Sequence, residues 1–117
     1  CELSNTVYAI DVASRTVVAR IRAGEFVNGV AVTPDGKRVF VSNGKDGTVS
    51  AIDSASNTVL ATIEVGKRPW NMAVTLDGRL LYVANGRSAS VSVIDTATLL
   101  RRLDVPVGEF PWGVAIR

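Results

Sequence analysis

A chain of 117 residues, 47% hydrophobic and 21% charged, has the size and composition of one core-forming domain, which excludes a disordered tail. Thirteen Lys and Arg against eleven Asp and Glu leave a net charge of +2, and no run of like charge exceeds two residues, which argues against a nucleic-acid surface. No run of about 18 apolar residues is present to span a membrane, and no charged n-region followed by an apolar h-region opens the chain.

Cys1 is the only cysteine, so no internal disulfide forms. It is read either as a residue at a cut end or as the lipid-bearing first residue of a bacterial lipoprotein. The repeat register described below speaks against the second, because Cys1 aligns with Asn43 and Asn85. Asn5 to Asp11 is predicted as a short strand buried on both faces. After a polar turn, Thr16 to Ala23 reads as a half-exposed outer strand that Gly24 ends. Asn28 to Thr33 is a third strand, small and apolar. The turn Pro34-Asp35-Gly36-Lys37 joins it tightly to a fourth at Arg38 to Asn43, since Pro fixes φ and Gly supplies φ > 0.

The cycle then recurs. Gly24, Gly66 and Gly108 are 42 residues apart, as are Ile10-Asp11, Ile52-Asp53 and Ile94-Asp95, and Asp35-Gly36 and Asp77-Gly78. Further strands are expected at Thr48 to Asp53, Thr58 to Val65, Asn71 to Thr75, Arg79 to Asn85, Ser90 to Asp95, Leu99 to Val107 and Gly113 to Arg117. No segment keeps a helical period for more than a turn or two, so the class is all-β. Four short strands in a unit of roughly 40 to 45 residues is the build of a β-propeller blade, here with a 42-residue repeat.

Phe40-Val41-Ser42-Asn43 and Tyr82-Val83-Ala84-Asn85 resemble the Tyr-Val-Thr-Asn signature of the YVTN family of β-propeller repeats. The flanking Gly66-Lys67-Arg68-Pro69-Trp70, Asp77-Gly78 and Val91 to Thr98 fit the same pattern, and the resemblance covers essentially the whole chain. It implies a repeat of archaeal surface-layer proteins and of secreted or periplasmic bacterial proteins, some similar to propellers of quinone-cofactor (PQQ) dependent oxidation. For most members it implies binding or scaffolding rather than a defined reaction.

With the strand near Gly29 as inner strand A, the order is C and D (residues 1–23), a full blade (24–65), a second (66–107) and strand A of a further blade (108–117). A closed propeller has about four to eight blades. The chain is therefore expected to be a piece, C-terminal by preference, of a larger propeller, or one of several assembling copies. Its expected partners are the remaining blades or further copies.

Histidine is absent, which removes the commonest general base and metal ligand from these residues. No Cys-Xaa-Xaa-Cys, Gly-Xaa-Ser-Xaa-Gly or phosphate loop occurs. No catalytic constellation, metal site or cofactor is therefore expected in this segment. Asp11, Asp53 and Asp95 read as turn caps rather than metal ligands, and Asp35 and Asp77 as hairpin residues.

Loops from strand D to A and from B to C open on one rim, and exposed loops on a rigid scaffold carry specificity. The candidate ligand- or partner-binding residues are Glu25, Phe26, Asn28, Lys45, Lys67, Arg68, Trp70, Arg87, Glu109, Phe110 and Trp112. Trp70 and Trp112 read either as plugs between blades or as aromatic platforms, with the plug preferred. Phe26 and Phe110, which break the repeat, are the expected partner contacts. The preferred function is a non-catalytic binding or scaffold propeller of the cell envelope recognising a protein or small polar ligand. The alternative is an accessory or enzymatic propeller of periplasmic redox metabolism whose catalytic residues stand outside this segment.

Overall fold

A computed structural model describes all residues, 1–117. A single 3-10 turn at Glu2–Ser4 precedes ten strands: β1 (Thr6–Asp11), β2 (Thr16–Arg22), β3 (Val27–Val32), β4 (Arg38–Asn43), β5 (Thr48–Asp53), β6 (Thr58–Glu64), β7 (Pro69–Val74), β8 (Leu80–Asn85), β9 (Ser90–Asp95) and β10 (Leu100–Pro106). They form three antiparallel sheets: β1-β2, β3-β4-β5-β6 and β7-β8-β9-β10. The order within each four-stranded sheet is sequential, as short hairpin connections dictate. Each sheet is therefore one up-and-down blade, with β3 or β7 as strand A. The innermost strands β3 and β7 face each other across the joint between blades.

Local geometry repeats with the sequence. Left-handed backbone recurs at residues 5, 47 and 89 (Asn5, Gly47, Ala89), at 15, 57 and 99 (Arg15, Asn57, Leu99), at 26, 68 and 110 (Phe26, Arg68, Phe110), and at Gly36 and Gly78. Every strand C to strand D ladder shifts register near the same place, at Ala9/Ile10, Ala51/Ile52 and Arg101/Leu103. Bulges of this kind increase the local twist. The hairpin Asp residues do what their spacing predicted: Asp35 Oδ1 accepts from Thr33 Oγ1 (2.6 Å) and the Lys37 N–H (2.9 Å), and Asp77 does the same with Thr75 and Arg79.

The core lies between sheets. Phe40, Val49, Ala51, Ile63, Met72, Leu81, Val83 and Ile94 form one buried cluster spanning both complete blades. Ile21, Val27, Val41 and Ile52 form a second, which joins the β1-β2 sheet to the first blade. Each blade contributes alternating side chains to the joint on either side, as a stacked array of sheets requires.

Two expectations change at the ends. β1 is not buried on both faces: Ile10 is 60% exposed, whereas its repeat equivalents Ile52 and Ile94 are 1% and 0% exposed. The sequences are alike, but β1 has only β2 beside it. Gly113 to Arg117, expected as an eleventh strand, forms no strand in the structure. A strand is defined by its ladder, and the strand B that would pair with it is not among these residues. The segment instead lies against the second blade, with Val114, Ala115 and Ile116 lining a depression together with Tyr82. The outer strand β10 shows the same end effect, since Val105 is 40% exposed where its equivalent Ile63 is 6%.

Candidate functional site

The signature asparagines determine how the rim is held. Asn43 and Asn85 are fully buried. Asn43 Nδ2 donates to Thr48 Oγ1 (3.0 Å) and Ser50 Oγ (2.9 Å), while its Oδ1 accepts from the Gly24 N–H (3.0 Å). One amide thus ties strands B and C to the entrance of the D-to-A loop, and burial in low dielectric makes each bond expensive to lose. A Cβ at Gly24 would lie 2.6 Å from Asn43 Cγ, and one at Gly66 would lie 2.7 Å from Asn85 Cγ. Glycine at these positions is required by the close approach of the asparagine. Asn85 Nδ2 repeats the bonds, to Ser90 Oγ and Ser92 Oγ, but its Oδ1 is buried without a partner.

The two sets of rim loops are then zipped together by backbone bonds. Gly44 N–H donates to Phe26 O (2.8 Å) and Lys45 N–H to Glu25 O (3.2 Å); Gly86 N–H donates to Arg68 O (2.8 Å) and Arg87 N–H to Lys67 O (3.0 Å). Side chains reinforce the first loop pair. Asp46 Oδ2 accepts from the Glu25 N–H (2.7 Å), and Lys45 Nζ pairs with Glu25, which raises the Lys45 pKa above its ordinary value. The pair is exposed, so its contribution to stability is small. The Arg68 guanidinium lies over the Phe26 ring, 5.2 Å from its centroid, and so connects the loops of neighbouring blades.

Between these loops runs an open groove of about 690 Å³, within the size range of small-molecule sites. It is lined by Phe26, Lys45, Lys67, Arg68, Arg87 and the loop glycines Gly44, Gly47 and Gly66. Asp46, Glu64 and Arg101 also reach it. Five cations and two acids give it a positive balance. Arg101 belongs to strand D and stands where the preceding copy has Val59. That departure from the repeat is the signal that would have found it.

The predicted site residues therefore divide. Phe26, Lys45, Lys67, Arg68 and Arg87 share the rim groove, and Glu25 joins it through Lys45. Asn28, Trp70 and Trp112 border a separate depression of about 380 Å³ beside Gly29, Val30 and Asn71. There the two indoles stack, with ring centroids 4.3 Å apart and an interplanar angle of 23°. Trp70 also covers Gly86, where a Cβ would lie 2.5 Å from its ring. Glu109 and Phe110 border neither groove and stand exposed.

The repeated aspartates are engaged in turns. Asp11 and Asp53 each accept from a serine hydroxyl and N–H three residues on, at Ser14 and Ser56, and Asp95 accepts from the Thr98 and Ala97 N–H groups. These bonds hold all three carboxyls below their ordinary pKa. No three His, Cys, Asp or Glu side chains converge as a metal site. No helix is long and apolar enough to cross a membrane.

Comparison with known proteins gives the arrangement a family. Solved structures similar to the chain include Kuenenia stuttgartiensis hydrazine synthase, with a TM-score of 0.93 and 24% identity over 96% of this chain and 33% of that one. The dihydro-heme d1 dehydrogenase NirN in complex with DHE matches with a TM-score of 0.81 and 25% identity over 92% of this chain and 23% of that one. A functionally unknown protein from Desulfotomaculum acetoxidans DSM 771 matches with a TM-score of 0.84 and 17% identity, over 96% of this chain and 38% of that one. The chain thus spans well under half the length of each, and all-β blades of a larger propeller are the shared feature. No curated protein sequence matches. The sequence matches the cytochrome D1 heme domain, a β-propeller type, over residues 4–111. The chain belongs to the cytochrome D1 heme domain family.

Proposed function

We propose that the chain is a stretch of a larger, redox-associated β-propeller of the periplasm, contributing blades and a charged rim while other blades hold the cofactor. The family match over residues 4–111 carries this reading. It favours the redox alternative over a surface-layer or purely scaffolding role. The Phe-Val-Ser-Asn and Tyr-Val-Ala-Asn segments, which also fit a YVTN-type repeat, act as blade-building motifs through their buried asparagines. Kinship with a heme-binding dehydrogenase supports the same class of chemistry.

The residues of this stretch do not fit an iron-ligating site. Histidine is absent, Met72 is buried in the core, Cys1 stands exposed at the chain's start, and no cluster of metal-binding side chains forms. No catalytic step is therefore assigned to these residues. Their role is to position loops: buried asparagines fix the loop entrances, and backbone zippers fix the rim, so that recognition groups sit on a rigid frame. The Lys- and Arg-lined groove supports a binding role for that rim.

The test is spectroscopic. The longer native protein carrying this stretch, purified from its own periplasm, should show heme absorbance and a pyridine-hemochrome signal, whereas residues 1–117 reconstituted with heme should show no axial-ligand band. A native protein devoid of heme, or an isolated segment that ligates iron, would overturn the reading.

A further inference from the structure

One hydrogen bond of the joint that precedes the groove between the two complete blades is missing from that groove. In the earlier joint, the Phe26 N–H donates to Asn5 Oδ1 (3.0 Å), so a side chain from one sheet satisfies the loop backbone of the next. One repeat later the donor is the Arg68 N–H and the residue in the place of Asn5 is Gly47. Gly47 has no side chain to offer, and the Arg68 N–H donates to nothing in the chain. Both residues line the groove. The repeat thus builds an oxygen-accepting contact at one joint and leaves the same donor open to a ligand at the next.

The surrounding charge selects the ligand. Of the two acids in the groove, Asp46 is turned to the Glu25 N–H, and Glu64 makes no ion pair; of the five cations, Lys45 is matched by Glu25 and Arg101 by Asp104, which leaves Lys67, Arg68 and Arg87 against one free acid. Lys67 and Arg87, both exposed, have no carboxylate within ion-pair distance. Arg68 is held only by the Phe26 ring. A backbone N–H flanked by unneutralised Lys and Arg is a receptor for an oxyanion, since charge-assisted bonds to carboxylate or phosphate oxygens are the strong ones. An amide oxygen such as that of Asn5 is the neutral counterpart of the same acceptor.

We propose that this groove is a binding site for a small, multiply charged oxyanion, a polycarboxylate or a phosphate, with one oxygen on the Arg68 N–H and others on Lys67 and Arg87. The proposal does not depend on the redox reading of the whole propeller. It rests on the difference between two joints of one chain.

Gly47→Asn converts the second joint into a copy of the first and places an amide oxygen where the ligand oxygen would bind. Gly47 has φ +68°, and Asn5 holds φ 56° at the equivalent position, so asparagine is compatible with the backbone. Its Cβ would lie 3.2 Å from Gly66 O, a contact that a small shift relieves. Isothermal titration of the protein with citrate and, separately, with inorganic phosphate, at ionic strength matched with chloride, reads the site directly. Saturable binding of either anion is expected, and the one that binds more tightly identifies the source. Gly47→Asn should weaken it about tenfold or more, the loss of one hydrogen bond to a charged acceptor, with the fold unchanged by circular dichroism. Lys67→Ala with Arg87→Ala provides the second reading should Gly47→Asn fail to fold. Binding of neither anion above the chloride control, or binding unaltered in a folded variant of either kind, would overturn the proposal.

Discussion

Gly66→Ala should destabilise this 117-residue chain severely, whereas Gly108→Ala, one repeat later, should not. At Gly66 the added Cβ would lie 2.7 Å from Asn85 Cγ and 2.8 Å from Asn85 Cβ and Nδ2. Those atoms belong to a fully buried side chain fixed by bonds to Ser90 Oγ (3.1 Å) and Ser92 Oγ (2.8 Å). The overlap is relieved in one of two ways. The D-to-A loop shifts, at the cost of about 1–3 kcal/mol usual for overpacking. Otherwise Asn85 turns away and leaves buried donors unpaired, at about 1–3 kcal/mol each. The first route alone gives a loss of roughly 1–3 kcal/mol and the second more, which for a domain near 100 residues is a fall in Tm of at least about 4 °C. At Gly108 a Cβ meets nothing within 4 Å, because the asparagine that would crowd it is not among these residues. Gly108→Ala should therefore be neutral or raise stability by at most about 1 kcal/mol, through reduced freedom of the unfolded chain. Thermal melts followed by circular dichroism, with urea titrations to separate a change in midpoint from a change in slope, make the comparison. A Gly66→Ala protein melting within about 2 °C of the parent would refute the steric argument. So would a Gly108→Ala protein that loses as much as Gly66→Ala. In a longer chain that supplies the next blade, the two substitutions should become equally costly.

Three further outcomes are expected. Phe40→Ala, at a fully buried residue of the core joining the two blades, should cost about 3–5 kcal/mol, and Lys67→Ala on the exposed rim less than about 0.5 kcal/mol; urea titrations giving the opposite order would reject the division into framework and rim. Ala89 holds φ +49° where its repeat equivalents are Gly47 and Asn5, so Ala89→Asn should raise stability by up to about 1 kcal/mol, and a drop in Tm would show that the left-handed backbone carries no strain there. Asp11, Asp35, Asp53, Asp77 and Asp95 all have folded-state pKa values lowered by hydrogen bonds to the charged form. Their stabilisation is therefore complete above the unfolded aspartate pKa of about 3.9 and is lost as pH falls through the lowered folded values. Tm should be flat from about pH 7 to 5 and fall below about pH 4, and a Tm that rose on acidification in that lower range would contradict the assignment of these carboxylates as turn caps.

Much of the fold was legible because a 42-residue period leaves little freedom. Residues recurring at that spacing had to occupy equivalent places, and alternating apolar residues between turn signals had to be strands. The hairpin at Asp35-Gly36 and the caps at Asp11, Asp53 and Asp95 followed from local chemistry alone, since a carboxylate beside free N–H groups in a turn finds its partners within three residues. The rim groove was legible only in part. Lys67 and Arg68 were placed on the rim by the register of their loop, but Arg101 approaches the groove from an outer strand, and Gly47 matters only through a hydrogen bond that Asn5 makes across a different joint. Such relations connect residues about 20 positions apart in one joint to their counterparts in another, and no local window contains them. Glu109 and Phe110 were grouped with the rim by register, yet no neighbouring loop covers them.

By itself the sequence determined the all-β class, the four-stranded repeat, the turn chemistry and the absence of histidine chemistry, because each depends on local pattern or composition. Only the tertiary structure decided burial, the role of the signature asparagines and which rim residues meet. Ile10, Ile52 and Ile94 make the reason plain: three residues in one repeat position differ in exposure because burial belongs to the neighbouring sheet and not to the residue.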